Sequence, residues 1–539
     1  MSLLGDTKMY GRFVWSLRGF LSRTISLEEA RAIIQRRMEE RGKNFLSIVE
    51  KGIFGYPKSP YLPLMKLAQC EMGDIEKMVK TKGLEGTLHA LQEAGVYVSF
   101  EEFKGRKPIV RSGKVFLVKD HDFDNPYLSH YYYSKSGGTT GAGTRVATDL
   151  DHLADQTPRM MVAYDAHGVF DAPTAFWYGI LPDQTGINNN LRHALSGRVA
   201  QKWFFPITQQ DYKPSLKNRL ATQYIITMAK LLGVPIPMPE PVPLDQAIKI
   251  SRWVAKTLET HRACLIRTHV SMAMRICIAA GEEGLNLTGA TFMGGGEPPT
   301  PAKVGQITSR GARYIPTYFF TEVGVVGIGC AQPADENDLH FLKDGLALIQ
   351  FPSQVPGSEI IVDAFCFTTL LPSAPKVMLN VAIDDYGIVE KRSCGCPLES
   401  YGFTDHLCHV RSFHKLTGEG VTLVGSEMVH ILEEVLPARF GGTPLDYQLL
   451  EEEDEQGFTR LSLLVSPNLG RLDEKAVIEA ILEALSQSSV ASDLARAHWI
   501  KAKTFRVKQQ QPVWTARGKM MPLHLARSSK PPTDKGEKK

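Results

Sequence analysis

The feature that most narrows the fold is an alternation. From about residue 115 to 410, short apolar runs and helical stretches succeed one another, as in "TAFWYGIL", "HRACLIRTHVSMAMRICIAAGEEG", "LTGATFMGGG" and "DGLALIQF". Strand candidates separated by helices build a layered α/β architecture. Residues 25–105 read as helical, with Ser26 as an N-cap ahead of acidic residues in "SLEEARAIIQRRMEERGKNFLSIVE". The proline-rich "GVPIPMPEPVPL" (233–244) reads as a rigid surface connector. After about 411 the pattern becomes a small α+β unit, with "GSEMVHILEEVLP" and "DEKAVIEAILEALSQ" as helices and "FTRLSLLVSP" as a strand. The expected division is a helical N-terminal part of the large domain (1–115), its core (116–411), a small mobile C-terminal domain (412–527) and a disordered tail (528–539). No internal repeat interrupts this plan.

Length and charge then limit the function classes. A chain of 539 residues exceeds one ordinary domain and can bury a large core. A net charge of +4 is small at this size and argues against nucleic-acid partners. No run of about 18 apolar residues is present, so no membrane span is expected. Arg12 and Arg18 break up the N-terminal apolar stretch, which excludes a secretion-signal layout and leaves packing on its own domain, or a basic amphipathic helix, as readings. The eight cysteines are accordingly expected to be reduced, in a cytoplasmic protein.

The segment "YYYSKSGGTTGAGTRVATD" (131–149) sends a run of strand-formers into a loop of glycines and hydroxyls. Such a loop presents N–H and O–H groups to an anion, or serves as a plain hairpin turn. A Walker-type loop would carry a lysine after its last glycine, and here Ala142 follows Gly141. Three further pieces follow in order: "FMGGGEPPT" (292–300), "YIPTYFFTEVG" (314–324) and, near the C-terminus, "PVWTARGKMMP" (512–522).

In order and spacing this set resembles the adenylate-forming superfamily of acyl-CoA synthetases, luciferases and peptide-synthetase adenylation domains, and within it the phenylacetate-CoA ligase branch. The resemblance runs from about residue 60 to 525. It implies a large domain that binds ATP and a carboxylic acid at its edge, with a small domain that swings over them. By resemblance Ser136, Gly137, Gly138, Thr139, Thr140 and Gly141 hold the β- and γ-phosphates. Gly295, Gly296, Glu297 and Pro298 line adenine, and Tyr318 stacks on it. Thr321 contacts the α-phosphate, Glu322 holds Mg2+, and Asp384 (or its neighbour Asp385) takes the ribose hydroxyls. Lys519 is the mobile lysine that stabilises charge as a carboxylate attacks phosphorus, and Arg411 matches the hinge arginine. The chain departs from the family at Arg145, in the place of a loop lysine, and at Phe319, in the place of a glycine.

Cys394 and Cys396 form a short-spaced thiol pair suited to zinc or redox chemistry. Some members of the branch carry a similar Cys…His…Cys-x-Cys set with zinc, which adds Cys330 and His340 to a closed, structural site. His406, Cys408, His409 and His414 form a rival cluster. The resemblance places the acid pocket near Trp177, Tyr178, His269 and Met272, whose apolar and aromatic character favours an aryl or medium acyl acid. The expected partners are a small-molecule carboxylic acid and coenzyme A or a carrier-protein thiol, with a homodimer left open. A non-catalytic nucleotide-binding regulator is the remaining reading, against which Lys519 and Glu322 speak.

Overall fold

The computed structural model describes residues 13, 15–128, 131–135, 145–181, 183–206, 215–354, 361–412, 415–418, 421–424, 428, 430–486, 499, 502–513 and 523–525. Its centre is a 12-stranded sheet. From one edge the strands are Leu346–Gln354, Ile361–Thr369, Val381–Lys391, Asp405–Ser412, Leu339–Phe341, Gly324–Gly329, Arg313–Phe320, Ala290–Gly294, Cys264–Arg267, Thr174–Trp177, Lys202–Phe205 and Pro239–Pro241. Pairing is antiparallel up to Arg313–Phe320 and parallel from there to the far edge.

The inner parallel strands are mostly apolar and buried because both faces are covered. Along Thr174–Trp177 the side chains alternate. Ala175 and Trp177 enter a core with the helices Ile248–Thr260 and Val270–Glu282, whereas Phe176 packs on the opposite face with the helix Thr185–Leu195. Leu265 and Met293 extend that second face towards the helix Leu150–Ala166. The expected α/β layering is therefore present. One expectation changes: Pro239–Pro241, read as part of a loop, forms the outermost strand. Proline lacks a ladder donor, and an edge strand tolerates that on its open side.

Ser26 caps the helix Leu27–Glu39 through a reciprocal bond set with Glu29, as its sequence suggests. The strands flanking the glycine-threonine loop, Tyr131–Lys135 and Arg145–Asp149, pair antiparallel from Tyr131↔Asp149 to Lys135↔Arg145. The loop itself, with Ser136 to Gly141, lies outside the described residues. The helix that follows is capped by the Asp149 carboxylate, which accepts from the backbone N–H of Asp151 and His152. That side chain thus satisfies two N–H groups of the helix's first turn.

The C-terminal part has its own four-stranded sheet, ordered Phe505–Gln509, Thr459–Val465, Tyr447–Glu453 and Leu523–Leu525, and its own core around Leu449, Leu463, Ile481 and Trp499. It docks on the large part beside the helix Pro301–Thr308. Lys303 Nζ donates to Thr459 Oγ1 at 2.7 Å, Thr300 Oγ1 donates to Glu453 Oε1 at 2.6 Å, and Phe458 joins the core beneath the helix Val270–Glu282. Among the described residues no helix is long and apolar enough to cross a membrane.

Candidate functional site

Parallel pairing brings the carboxyl ends of Thr174–Trp177, Cys264–Arg267, Ala290–Gly294 and Arg313–Phe320 to one edge of the sheet. Open α/β sheets bind ligands at such an edge. The residues leaving these strands are Tyr178, Thr268 with His269, Gly295 to Pro298, and Thr321 with Glu322.

The glycines have a steric reason. A Cβ on Gly294 would lie 1.6 Å from the Thr268 carbonyl oxygen, one on Gly295 would lie 1.9 Å from that of Thr317, and Gly296 has φ +93°. The backbone therefore runs so close to both neighbouring strands that no side chain fits at Gly294 or Gly295. His269 Nδ1 donates to the Gly295 carbonyl at 2.6 Å and meets Tyr178 edge-on at 5.3 Å. Glu297 turns inward: its Oε1 accepts from Ser271 N at 3.1 Å and Ser271 Oγ at 2.5 Å, and its Oε2 lies 3.5 Å from Lys303 Nζ. It thereby joins the glycine turn to the lysine that holds the small sheet.

Tyr318 Oη donates to Asp385 Oδ2 at 2.6 Å, and Ser412 donates to the other oxygen of Asp385. Burial first, and the Asp385 charge second, push the Tyr318 phenol well up, so it stays a donor. Asp384 and Asp385 lie in a bulge where the register of Val381–Lys391 against Ile361–Thr369 shifts. Asp384 has φ +71°, a left-handed conformation uncommon outside glycine. Of the two ribose candidates, Asp385 is the one the structure brings to Tyr318. Arg411 pairs with Tyr386 one register position from Asp385↔Ser412, at the end of the strand that leads out of the large sheet.

Thr321 is exposed in the turn between Arg313–Phe320 and Gly324–Gly329, and Phe319 is partly exposed on the first of these strands. Glu322 is buried, with Lys104 Nζ 2.6 Å from its Oε1. Burial raises this carboxyl, but Lys104, aided by Lys376, outweighs it and holds the group below the ordinary carboxylate range. An ionised carboxylate fits a hard cation, although one oxygen is already engaged by an ammonium. Lys104 is a site residue that sequence reading missed; it sits in "EEFKGRK", far from every recognised motif. Lys519 lies outside the described residues, shortly before the edge strand Leu523–Leu525.

The acid-pocket candidates divide. Tyr178 and His269 are together at the sheet edge. Trp177 donates its indole N–H to the Val242 carbonyl at 3.1 Å, and with Met272 it sits in the core under the helices Ile248–Thr260 and Val270–Glu282. These two fill the scaffold behind the edge.

Away from this edge, Cys330, His340, Cys394 and Cys396 place one ligand atom each within 4.8 Å of one another. His340 Nδ1 donates to the Phe403 carbonyl at 2.6 Å, which leaves Nε2 facing Cys394 Sγ at 3.6 Å. Backbone N–H groups of Ala331, Gln332 and Cys396 point at the sulfurs of Cys396, Cys330 and Cys394, at 3.4, 3.3 and 3.4 Å. Hydrogen bonding from Cys330 draws the Cys396 thiol down, against the effect of burial, and pushes the Cys330 thiol up. Three sulfurs and one imidazole, with their second bonds made, fit a closed tetrahedral zinc site. The rival set does not converge. His406 is buried on Asp338 at 2.6 Å, Cys408 faces Glu390, His409 is exposed, and His414 lies outside the described residues.

No family model and no curated protein sequence matches the chain. Among solved structures it is similar to a 2-hydroxyisobutyryl-CoA ligase in complex with 2-HIB-AMP and CoA in the thioesterification state. That match has 14% identity and a TM-score of 0.51, and covers 96% of this chain and 90% of the other. Two further similar structures are an amide bond synthetase mutant from Marinactinospora thermotolerans (10% identity, TM-score 0.38, 80% of each chain) and an anthranilate CoA ligase in complex with anthranoyl-AMP (11%, 0.32, 83% and 75%). The architecture is that of an adenylate-forming fold.

Proposed function

We propose that the protein activates a carboxylic acid with ATP and then passes the acyl group to the thiol of coenzyme A. The observation that carries this reading is the sheet edge where the side-chain-free turn Gly294–Gly296, the Tyr318–Asp385 pair and the ionised Glu322 come together. It stands in a fold shared, over 96% of the chain, with a ligase solved bearing an acyl-adenylate and CoA.

In the first step a carboxylate oxygen attacks the α-phosphorus of ATP, and pyrophosphate leaves with the electron pair of the broken P–O bond. In the second, the thiol sulfur attacks the acyl carbonyl, the thiol proton is lost, and AMP departs. The turn at Gly295 and Gly296 lets a flat base approach the backbone, and the Tyr318 ring closes one side. Asp385 or Asp384 accepts from ribose hydroxyls; Thr321 and the loop Ser136–Gly141 meet the phosphates. Glu322 would hold Mg2+, which supplies charge neutralisation to the phosphates when bound. Lys519 is assigned to the negative charge that grows at the α-phosphate. The acid enters beside Tyr178 and His269. Cys330, His340, Cys394 and Cys396 would hold a structural zinc that ties the strand ends Gly324–Gly329 and Leu339–Phe341 to the loop after Val381–Lys391.

The test is pyrophosphate release from ATP and Mg2+ with a panel of carboxylic acids, from benzoate and phenylacetate to long-chain fatty acids, with and without coenzyme A. Release with one acid class, sustained only when coenzyme A is present, is the expected result. A burst near one equivalent with or without coenzyme A would move the acceptor to a protein thiol. Silence with every acid would overturn the activation itself.

A further inference from the structure

Among the described residues, several buried or part-buried arginines are held by carboxylates. Arg159 Nε donates to both Asp344 oxygens at 2.8 and 3.0 Å, Arg37 binds Asp155, Arg111 lies 2.8 Å from Glu102, and Arg460 lies 2.7 Å from Asp454. Arg267, the last residue of Cys264–Arg267, and Arg192, on Thr185–Leu195, have no ion pair among the described residues. Arg267 instead donates to the Tyr164 hydroxyl at 2.9 Å and to the Met293 carbonyl at 3.2 Å. Arg192 donates to Asn189 Oδ1 at 3.1 Å, and its Nε, although buried, has no partner. Burial first, and the repulsion of Arg267 second, bring the Arg192 guanidinium down to about 10, whereas at Arg267 the effect of burial is outweighed by Tyr164 and Tyr178, which push it up. The groups around them are neutral. The Tyr164 and Tyr178 phenols are buried, and His193, bonded to Tyr164 at 3.0 Å, is held well below its ordinary value by burial and by three arginines. Glu297, the carboxylate facing Tyr314, is engaged by Ser271 and Lys303.

Arg267 reaches Tyr164, which bonds His193 beside Arg192, and cations held in such neutral surroundings without a carboxylate are costly, a cost that an anion placed among them would offset. The cluster adjoins the site described above. The Tyr178 hydroxyl lies 3.2 Å from where a Cβ of Gly294 would stand, and Tyr314 donates to the Gly294 carbonyl at 2.8 Å. The anion it takes is therefore part of the molecule bound at the sheet edge.

The charge of that anion must also persist through the reaction. The reacting carboxylate becomes a neutral mixed anhydride as the acyl-adenylate forms. Arginines dedicated to it would stabilise the ground state and stand uncompensated afterwards. We infer that Arg192 and Arg267 form a subsite for a second, non-reacting carboxylate, so that the acid is a dicarboxylic acid. Arginine's planar fork matches a carboxylate in a way a lysine would not. The inference rests on the activation of an acid proposed above.

Calorimetric binding to the full chain tests it with matched pairs: adipate against hexanoate, and phthalate and terephthalate against benzoate. At least one diacid is expected to bind about tenfold or more tighter than its monoacid. Arg192→Met should erase that ratio, and Arg192→Lys should restore part of it. Because the substitution removes an unpaired buried charge, the melting temperature of Arg192→Met should stay level or rise, which separates a lost subsite from a lost fold. Equal binding within every pair, or a ratio that survives Arg192→Met, would overturn the subsite. Pyrophosphate release with monoacids alone, unchanged in Arg192→Met, would keep the proposed activity and end this inference. Diacid binding without pyrophosphate release would do the reverse.

Discussion

The two halves of the large sheet treat their polar groups in opposite ways. In the antiparallel half, charges and thiols meet one another: Asp344 takes Arg159, Asp338 takes His406 and Arg392, and the four Cys and His ligand atoms face one another. At the carboxyl edge of the parallel half, Arg192 and Arg267 have no carboxylate among the described residues. Both halves contribute fully buried side chains, so burial alone does not separate them. The distinction is charge pairing: buried charges that answer each other hold a fold, and a cation with no carboxylate can take an anion. Substitutions in the antiparallel half should therefore act on stability, and those at the parallel edge on turnover.

The largest expected effect is on turnover. Lys519→Ala should lower acid-dependent pyrophosphate release by about 100-fold or more while ATP binding, followed by calorimetry, stays near that of the parent. Activity within a few-fold of the parent would remove this lysine from the chemistry. On the antiparallel side, Asp344→Asn should cost about 3–5 kcal/mol in denaturant unfolding, because it leaves Arg159 buried without its carboxylate. A loss under about 1 kcal/mol would make that pair as dispensable as a surface bridge. Next comes the thiol cluster. Exhaustive chelation, or Cys394→Ser, should lower the melting temperature by several degrees, and metal analysis of the untreated protein should find one zinc per chain. Unchanged melting together with no bound metal would return these residues to ordinary buried cysteines.

The smallest effect is expected where the two parts of the chain meet. Glu453→Gln weakens the bond from Thr300 and the attraction to Lys303 at 3.9 Å, and should cost about 0.5–1.5 kcal/mol. The readout is hydrogen exchange in Glu453–Thr459, which should rise while exchange in Cys264–Arg267 does not. Equal change in both would mean that the small sheet does not move as a separate unit.

Much of the frame was legible in the chain. Apolar runs of strand length between helical stretches specify a covered parallel sheet, because strands buried on both faces have no polar alternation to show. The capping pair Ser26 and Glu29 marked a helix start by local chemistry alone. Motif order brought Gly295, Tyr318 and Glu322 into one site, and the spacing of Cys394 and Cys396 brought half of the thiol cluster. What stayed hidden depended on contacts between distant segments. Lys104 stands in an unremarkable stretch and acquires meaning only against Glu322. Trp177 and Tyr178 are neighbours in sequence, yet the period of a strand sends one into the core and the other to the site. The choice between Asp384 and Asp385 turns on a bulge that no local residue signals.

By itself, then, the sequence determined which segments are strands and helices, and which short motifs could face a nucleotide, since these follow from periodicity and from the chemistry of neighbours in the chain. Only the tertiary structure decided which charges are answered. Whether Arg192 and Arg267 meet a carboxylate is a question about strand order and helix packing, and electrostatic compensation acts through space between residues that the chain keeps far apart.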